Sequence, residues 1–568
     1  GIQIDEQVKL VPGVNEVEID VNIEKPKLWW SRGLGKQNMY VFTASLSDGE
    51  EVTAEHSVRT GLRSVKLVRE NDVDGQSFYI ELNGQPVFAK GANHIPNDSF
   101  VTEITYERYK HEIISAVESN MNMLRVWGGG IYEYDEFYEL CDEYGIMVWQ
   151  DFMFACSMYP GDKEFLENVN IEAEENIKRL RNNPSVVFWC GNNEIDSAGA
   201  NYIEKAGWGW KQQYTSEQRA EMWESYEQIF HHILADAVAK FSPTEPYWPS
   251  SPMSELTNDE NQHSNIKTEK GDLHYWAVWH GKEPFEEYNN NVGRFMSEYG
   301  FQSFPELKTV RTYAAEEELE LESSAMLHHQ KNGQGNQLIR EYMKNYCPEP
   351  KDFPSFLYMS QVLQAEGIKT AIEAHRRQMP YCMGSLYWQM NDCWPVASWS
   401  SMDYYGRWKA LQYYAKRSFK DIMVSIEEKD NHLSFYVVSD QLEAVSGEIH
   451  VQLLDFNGEV LNKCTKAYSV LPNSSTIVLD TKVEEFIKEY KHDQVLVVAT
   501  LYNGDDLVDR KEHYLVPTKQ LRLSTPTITV TEVKGTNGLT LELQTNILAK
   551  QVWLATDSEG IFSDNFFD

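Results

Sequence analysis

A multidomain protein, with a central (β/α)8 TIM barrel between flanking β-sandwich domains, is what the sequence predicts, and three observations predict it. The chain has 568 residues, more than one hydrophobic core supports and enough for about three to five domains. From about residue 69 to 420, eight short apolar runs alternate with amphipathic helical stretches. On either side of that region the pattern changes to strict alternation of apolar and polar residues, the period of antiparallel strands.

Residues 1–68 show the alternation at Val14–Val21 and Met39–Leu46, with a hairpin turn signal at Asp48-Gly49. Only four or five strands fit there, fewer than a sandwich closes with, so the region reads as an incomplete domain. In 69–420 the predicted strands are Pro86–Asn93, Asn122–Trp127, Ile146–Phe152, Ser185–Cys190, Tyr247–Ser251, Asp272–Trp276, Arg294–Ser297 and Cys382–Trp388. Between the first two, Tyr109, Ile113, Ile114 and Val117 share one face of a helix over Tyr106–Glu118, and Tyr134–Tyr144 and Ile171–Leu180 also read as helices. Eight strand–helix repeats over this length point to a closed barrel with long loops. An open doubly wound sheet would carry a glycine-rich phosphate loop, and neither GxGxxG nor GxxxxGK[ST] occurs. Residues 421–519 return to period two at His432–Val438, Glu448–Leu454 and Val495–Leu501, with a turn at Asn457-Gly458, and form a second sandwich. Residues 520–568 open a third β region, with strands expected at Gly538–Leu543 and Val552–Thr556. Both ends of the chain read as cut.

Composition bounds the function. With 87 acidic against 51 basic residues the formal charge is −36. Nucleic acid and anionic membranes are therefore not expected as partners, because phosphate binding needs basic stripes. A neutral substrate suits this balance. The 16 Trp, 31 Tyr and 24 Phe offer flat apolar faces with polar tips, which suit sugar rings as well as a core. Seven scattered cysteines contain no CxxC pair, which argues against a cysteine zinc site and a disulfide framework. No run of about 18 apolar residues exists to span a membrane, and the start Gly-Ile-Gln-Ile-Asp lacks the features of a signal peptide. His231-His232 and His328-His329 fall in helical stretches, where neighbouring side chains diverge by about 100°. With no HExxH and no GxSxG, neither a metal site nor a serine hydrolase is expected, and no cofactor is implied.

Two acids stand where buried strands turn polar. Glu194 closes Pro184-Ser-Val-Val-Phe-Trp-Cys-Gly-Asn-Asn-Glu194, and Glu298 closes Gly293-Arg-Phe-Met-Ser-Glu298. A carboxylate at the end of a buried strand is costly unless solvated, paired or used. At the ends of the fourth and seventh strands of a barrel, two carboxyls face each other across the mouth. Such a pair serves as general acid and nucleophile on a glycosidic bond.

Longer motifs sharpen this reading. Trp189-Cys-Gly-Asn-Asn-Glu194 and Met296-Ser-Glu-Tyr-Gly-Phe-Gln302 resemble the two catalytic motifs of glycoside hydrolase family 2. Lys90-Gly-Ala-Asn-His-Ile-Pro96, Arg125-Val-Trp-Gly-Gly-Gly130, Trp149-Gln-Asp-Phe152 and Tyr387-Trp-Gln-Met-Asn-Asp-Cys-Trp-Pro395 are most similar to its β-mannosidase branch. The resemblance covers nearly the whole chain and implies immunoglobulin-like flanking sandwiches. It implies a retaining exo-β-mannosidase acting on an oligosaccharide or glycoside, with Glu194 as acid/base, its pKa raised, and Glu298 as nucleophile. Polysaccharide degradation would suggest a periplasmic or secreted protein.

The same resemblance implies that Asn193 bonds the sugar 2-hydroxyl, that Trp127 shapes the mannose subsite and that Trp388 forms its floor; each has packing or turn-capping as its alternative. Arg125 is placed to pair with Glu298 and keep it ionised, or to form a structural ion pair. His274 and Trp276 after the sixth strand, and Asp392 after the eighth, are further candidates for binding. Trp208 and Trp210 either wall the entrance or pin their own loop. The resemblance implies that complete members carry an N-terminal jelly-roll domain that lends a loop to the active site, and this sequence reads as beginning after it. Other specificities in the family (β-galactosidase, β-glucuronidase, exo-β-glucosaminidase) and a catalytically inactive carbohydrate-binding fragment are the alternatives.

Overall fold

The computed structural model describes residues 1–49, 51–199, 213–254, 268–535, 538–556 and 560–568. Its centre is a sheet of eight parallel strands. These are β1 (Ala89–His94), β2 (Met123–Val126), β3 (Met147–Asp151), β4 (Val186–Cys190), β5 (Tyr247–Trp248), β6 (Leu273–His274), β7 (Met296–Glu298) and β8 (Gly384–Tyr387). They neighbour one another in the order β5-β4-β3-β2-β1-β8-β7-β6. Pairing of β1 with β8 curls the sheet into a ring, leaving a seam without a ladder between β5 and β6. Asp272 closes that seam. Its amide donates to the Met253 carbonyl at 3.2 Å, and its carboxylate accepts from Trp248 Nε1 at 2.9 Å and from the Met253 amide at 3.0 Å.

Side-chain alternation sorts each strand into two faces, because successive residues point to opposite sides. Met123, Met147, Trp149, Phe188, Cys190, Trp248, Phe295 and Leu386 form one interior cluster. Leu124, Val126, Val148, Val186 and Trp189 join the outer cluster with the helices. Along the inner face the side chains turn polar towards the strand ends, from Met123 to Arg125 on β2 and from Met147 and Trp149 to Asp151 on β3. The functional groups therefore collect at one mouth of the ring.

The helices start where capping residues allow. In α1 (Tyr106–Glu118) the Thr105 hydroxyl accepts from the Arg108 amide, and Tyr109, Ile113 and Ala116 bury one face at helical spacing. Next, α2 (Asp135–Tyr144) ends at Gly145, whose φ of 76° is left-handed. A Cβ there would lie 2.7 Å from the Arg32 amide, so glycine is needed. The third, α3 (Lys163–Leu180), begins well before the predicted Ile171, because Asp162 accepts from the Phe165 amide at 3.0 Å. Its last turn carries Lys178 and Arg179, which complement the helix dipole.

Three sequence expectations are corrected. The run Pro86–Asn93 is two strands: Gln85–Val87 pairs antiparallel with Tyr79–Leu82, and the barrel strand starts at Ala89. Between them Phe88 buries its ring against Met379, Met383 and Met423, and the chain changes sheets. Val14–Val21 forms no strand, although it alternates: Val14, Val17, Ile19 and Val21 are 93, 48, 46 and 43% exposed. Alternation makes a strand only where an edge and a core receive it. Only Val552 of Val552–Thr556 pairs, in a single bridge with Phe567, while Ile528–Gly535, which the alternation did not single out, pairs with Gly538–Thr545.

Tyr40–Asp48 and Glu51–Thr60 form the hairpin around Asp48-Gly49. C-terminal to the barrel, three strands (Ile422–Lys429, His432–Ser439, Ser474–Lys482) and four (Val445–Asp455, Val460–Val470, Val495–Asn503, Asp506–His513) make two antiparallel sheets. Phe435, Val437, Ile449, Val451, Val497 and Leu501 are buried between them. Asp440 docks this sandwich on the barrel through Arg376 and Lys90, each at 2.7 Å. All seven cysteines are free, and among the described residues no helix is long and apolar enough to cross a membrane.

Candidate functional site

Arg125 organises the mouth of the barrel. It projects inward from β2 and is fully buried, so each of its five N–H groups needs an acceptor. Nη1 donates to Glu298 Oε1 at 2.7 Å and to Asn93 Oδ1 at 2.9 Å. Nη2 donates to Asn193 Oδ1 and to Asp151 Oδ2, both at 2.8 Å, and Nε donates to Asp151 Oδ1 at 3.3 Å. One guanidinium thus ties together β1, β2, β3, β7 and the turn after β4. Replacing Arg125 by Ala leaves Asp151 and Glu298 buried without their cation, and is expected to cost about 3–5 kcal/mol in denaturant unfolding. A cost below ~1 kcal/mol, the scale of an exposed pair, would contradict this role.

The two acids meet at this hub. Glu298 is the last residue of β7, and Trp276 Nε1 donates to its Oε2 at 3.3 Å. Glu194 sits on the turn after β4 with φ of 60°, a left-handed conformation that costs a non-glycine residue of order 1 kcal/mol or more and concentrates at functional sites. Its amide donates to the Ser251 carbonyl at 2.7 Å. His274, the last residue of β6, lies between the acids, with Nδ1 at 2.8 Å from Glu194 Oε1 and 3.4 Å from Glu298 Oε2. One oxygen of each glutamate and one His274 nitrogen all lie within 4.8 Å of one another.

Burial sets the electrostatics. It pushes the Glu194 carboxyl up to about 7, against the opposing pull of Arg125, His280 and the Cys156 thiol. It also raises Glu298, opposed by His274 and Arg125, so Arg125 limits that shift and does not abolish it. Burial drives His274 down to about 4, leaving a neutral imidazole near pH 7. Glu298 receives a guanidinium and an indole N–H, whereas no cationic group among the described residues donates to Glu194. These donors stabilise the carboxylate form of Glu298 more than that of Glu194. This triad is the one grouping among the described residues spaced to hold a cation. A protonated Glu194 bonded to His274 leaves a cation no complete set of lone pairs, so the donor chemistry favours a proton.

Asn193 turns its Oδ1 to Arg125 and its Nδ2 towards Cys156 Sγ, at 3.4 Å. Trp127, just past β2, and Trp388, just past β8, meet edge to face with centroids 5.0 Å apart and form an aromatic corner. Trp127 Nε1 is buried with no hydrogen-bond partner among the described residues. Trp276 packs on His280 at 5.3 Å and Trp399 at 6.2 Å. Asp392 stands apart. Its carboxylate accepts from Ser398, Ser400 and Gln389 within its own loop, and no contact among the described residues joins it to the glutamates. Trp208 and Trp210 lie outside the described residues.

Sequence reasoning passed over Asn93, Asp151, Ser251, Asp272, Cys156 and His280. Asn93 and Asp151 lie inside motifs that pointed to the family, and a polar residue closing an apolar strand was the available signal. Nothing local marks Cys156 or His280.

Comparison with known proteins agrees with this architecture. Residues 2–63 match glycosyl hydrolases family 2, and residues 72–218 match the TIM barrel domain of that family. Residues 431–520 match a mannosidase Ig/CBM-like domain, and 523–568 an Ig-fold domain. The chain is 34% identical to beta-mannosidase of Capra hircus over 100% of its own length and 67% of the relative's. It is 32% identical to beta-mannosidase B of Emericella nidulans, over 94% of this chain and 64% of that one. The crystal structure of beta-D-mannosidase from Dictyoglomus thermophilum superposes with a TM-score of 0.87 at 39% identity, covering 96% of this chain and 64% of that one. An exo-chitosanase from Amycolatopsis orientalis, at 18% identity and a TM-score of 0.73, shares the fold. The chain thus spans about two thirds of the length of these relatives.

Proposed function

Because the chain belongs to glycosyl hydrolases family 2, we propose that it acts as a retaining exo-β-mannosidase, removing terminal non-reducing β-D-mannose through a covalent glycosyl-enzyme. One observation carries the reading: an oxygen of Glu194 and an oxygen of Glu298 lie within 4.8 Å at the barrel mouth. Retaining enzymes hold their carboxyls about 5–5.5 Å apart, whereas inverting enzymes need roughly 6.5–9.5 Å to admit a water.

In this reading Glu298 attacks the anomeric carbon as the bond to the aglycone oxygen breaks, and Glu194 gives that oxygen its proton. Glu194 then takes a proton from water, and the hydroxide oxygen displaces Glu298 from the anomeric carbon. Arg125 and Trp276 hold one conformation of Glu298 in the ground state. The aromatic corner of Trp127 and Trp388 receives the sugar face. With Oδ1 of Asn193 held by Arg125 and one N–H of Nδ2 turned to Cys156 Sγ, the second N–H of Nδ2 is the group that would meet a sugar hydroxyl. The names of the relatives support mannose, and a formal charge of −36 suits a neutral glycoside. Polysaccharide breakdown would place the protein in the periplasm or outside the cell, which cell fractionation tests.

Two limbs follow for the pH profile. The acid must be protonated, so hydrolysis of a substrate with a poor leaving group declines as pH rises through about 7. The nucleophile must be ionised, so the rate also declines as pH falls through the Glu298 value, which burial holds above the ordinary range. A flat profile from pH 5 to 9 would contradict both assignments. Specificity is tested with aryl β-mannoside, β-galactoside, β-glucuronide and β-glucosaminide. The mannoside should be turned over fastest, and a faster reaction on any of the others would overturn the choice of sugar.

A further inference from the structure

The acid's partner, His274, is itself held from behind. Its Nε2 lies 2.9 Å from Ser251 Oγ, and that hydroxyl lies 2.6 Å from Asp272 Oδ2. Asp272 opens the segment into β6 and is fully buried. Oδ2 also accepts from the Ser297 hydroxyl at 2.6 Å, and Oδ1 accepts from Trp248 Nε1 and the Met253 amide. Four donors surround two oxygens, and an ionised carboxylate only accepts. The Ser251 proton therefore points to Asp272, and its oxygen presents a lone pair to His274. A neutral imidazole carries one N–H and one bare nitrogen. Facing that lone pair, the N–H is Nε2–H, and the bare nitrogen is Nδ1, at 2.8 Å from Glu194 Oε1. A bare nitrogen at that distance needs a donor, which Glu194 supplies only as the carboxylic acid.

We propose that Asp272, acting through the Ser251 hydroxyl, is a positioning residue that holds His274 in its Nε2–H tautomer, so that Nδ1 accepts the Glu194 O–H and keeps the proton on that acid until the leaving oxygen takes it. Ser251 acts on the acid twice, since its carbonyl also accepts the Glu194 amide at 2.7 Å. Among the described residues, the other charged or titratable groups facing the pair are Arg125 from β2, Cys156 after β3, Glu298 from β7 and His280 after β6. None of them reaches Nε2, so the tautomer depends on the Ser251–Asp272 chain. The closure of the β5–β6 seam and the protonation of the acid thus share one carboxylate.

Asp272→Asn reverses the chain. The amide Nδ2 can donate to Ser251, whose proton then turns to Nε2 and forces the proton of His274 onto Nδ1. An Nδ1–H donor stabilises Glu194 as carboxylate and removes its reason to hold a proton. Selective 15N-histidine labelling of the whole chain, with His274 assigned by loss of its signals in His274→Gln, reads the tautomer directly. The expected result is Nε2–H in the native protein, Nδ1–H in Asp272→Asn and a mixture in Ser251→Ala. An Nδ1–H imidazole in the native protein, or Nε2–H retained in both variants, overturns the proposal. Should Asp272→Asn fail to fold, Ser251→Ala decides alone, since it removes one oxygen and leaves the seam carboxylate in place.

The kinetic consequence rests on the reading of Glu194 as the acid. Both variants should lose roughly 10- to 100-fold on an aryl β-mannoside with a poor leaving group, a part of the ~10²–10⁴ a general acid supplies. The high-pH limb should move to lower pH, and an activated aryl mannoside should be affected far less. Equal losses on both substrates with an unmoved limb would reduce Asp272 to a structural residue. Absence of mannoside turnover in the native protein would count against the proposed function, while the imidazole spectra would still decide the tautomer.

Discussion

Glu298→Gln is expected to lower kcat/KM on an aryl β-mannoside by about 10⁴- to 10⁶-fold, the scale reached when an attacking group is removed. The amide has the shape of the carboxylate, and its Oε1 can still accept from Arg125, which now sits at 2.7 Å from the native oxygen. Arg125 also keeps Asp151 at 2.8 Å, so the buried guanidinium is not left without a counter-charge and the fold should survive. What disappears is the electron pair that attacks the anomeric carbon, because an amide oxygen is a far weaker nucleophile. A 2-deoxy-2-fluoro mannosyl donor with a good leaving group should label the native protein on the Glu298 peptide and leave the variant unlabelled. Near-normal turnover, or label on another residue, would remove Glu298 from its role.

Glu194→Ala should separate substrates by their leaving groups. Where the departing oxygen needs a proton, the loss should approach ~10²–10⁴-fold; where a nitrated phenolate leaves unaided, the first step should proceed and glycosyl-enzyme should accumulate. The deleted carboxyl opens space between His274, at 2.8 Å from Glu194 Oε1, and Cys156, at 3.9 Å from Oε2. Azide is small enough to enter there, and it should restore turnover of the activated substrate and give β-mannosyl azide. Equal losses on good and poor leaving groups, with no azide product, would argue against an acid role.

Much of this site was legible along the chain, for a local reason. In a strand buried on both faces, inward and outward positions alternate, so Met123 and Arg125 fall on one face and Leu124 and Val126 on the other. An ionisable residue where such a run turns polar is costly to bury, which singled out Glu194 and Glu298 before any distance was known. Alternation failed where no surface waited to receive it, as at Val14–Val21, and where the chain passed between sheets, as at Phe88.

Asp392 shows the opposite limit. It follows β8 as Trp388 does, yet three donors from its own loop turn it away from the acids, and a loop's hydrogen bonds are not written in periodicity. Arg125 marks the same limit for charges. Its pairing with Glu298 was one of two expectations raised by opposite charge, but its sharing among Asn93, Asp151 and Asn193 required the ring to close.

The order of residues was enough to place eight short apolar runs, the first of them holding two strands, and the two ends at which acids emerge, because those depend on neighbours one or two positions away. Where the proton sits was settled only by folding. Glu194, His274, Ser251 and Asp272 come from three separate stretches of chain, and the site of a proton depends on how many donors and how much water surround each atom once those stretches meet.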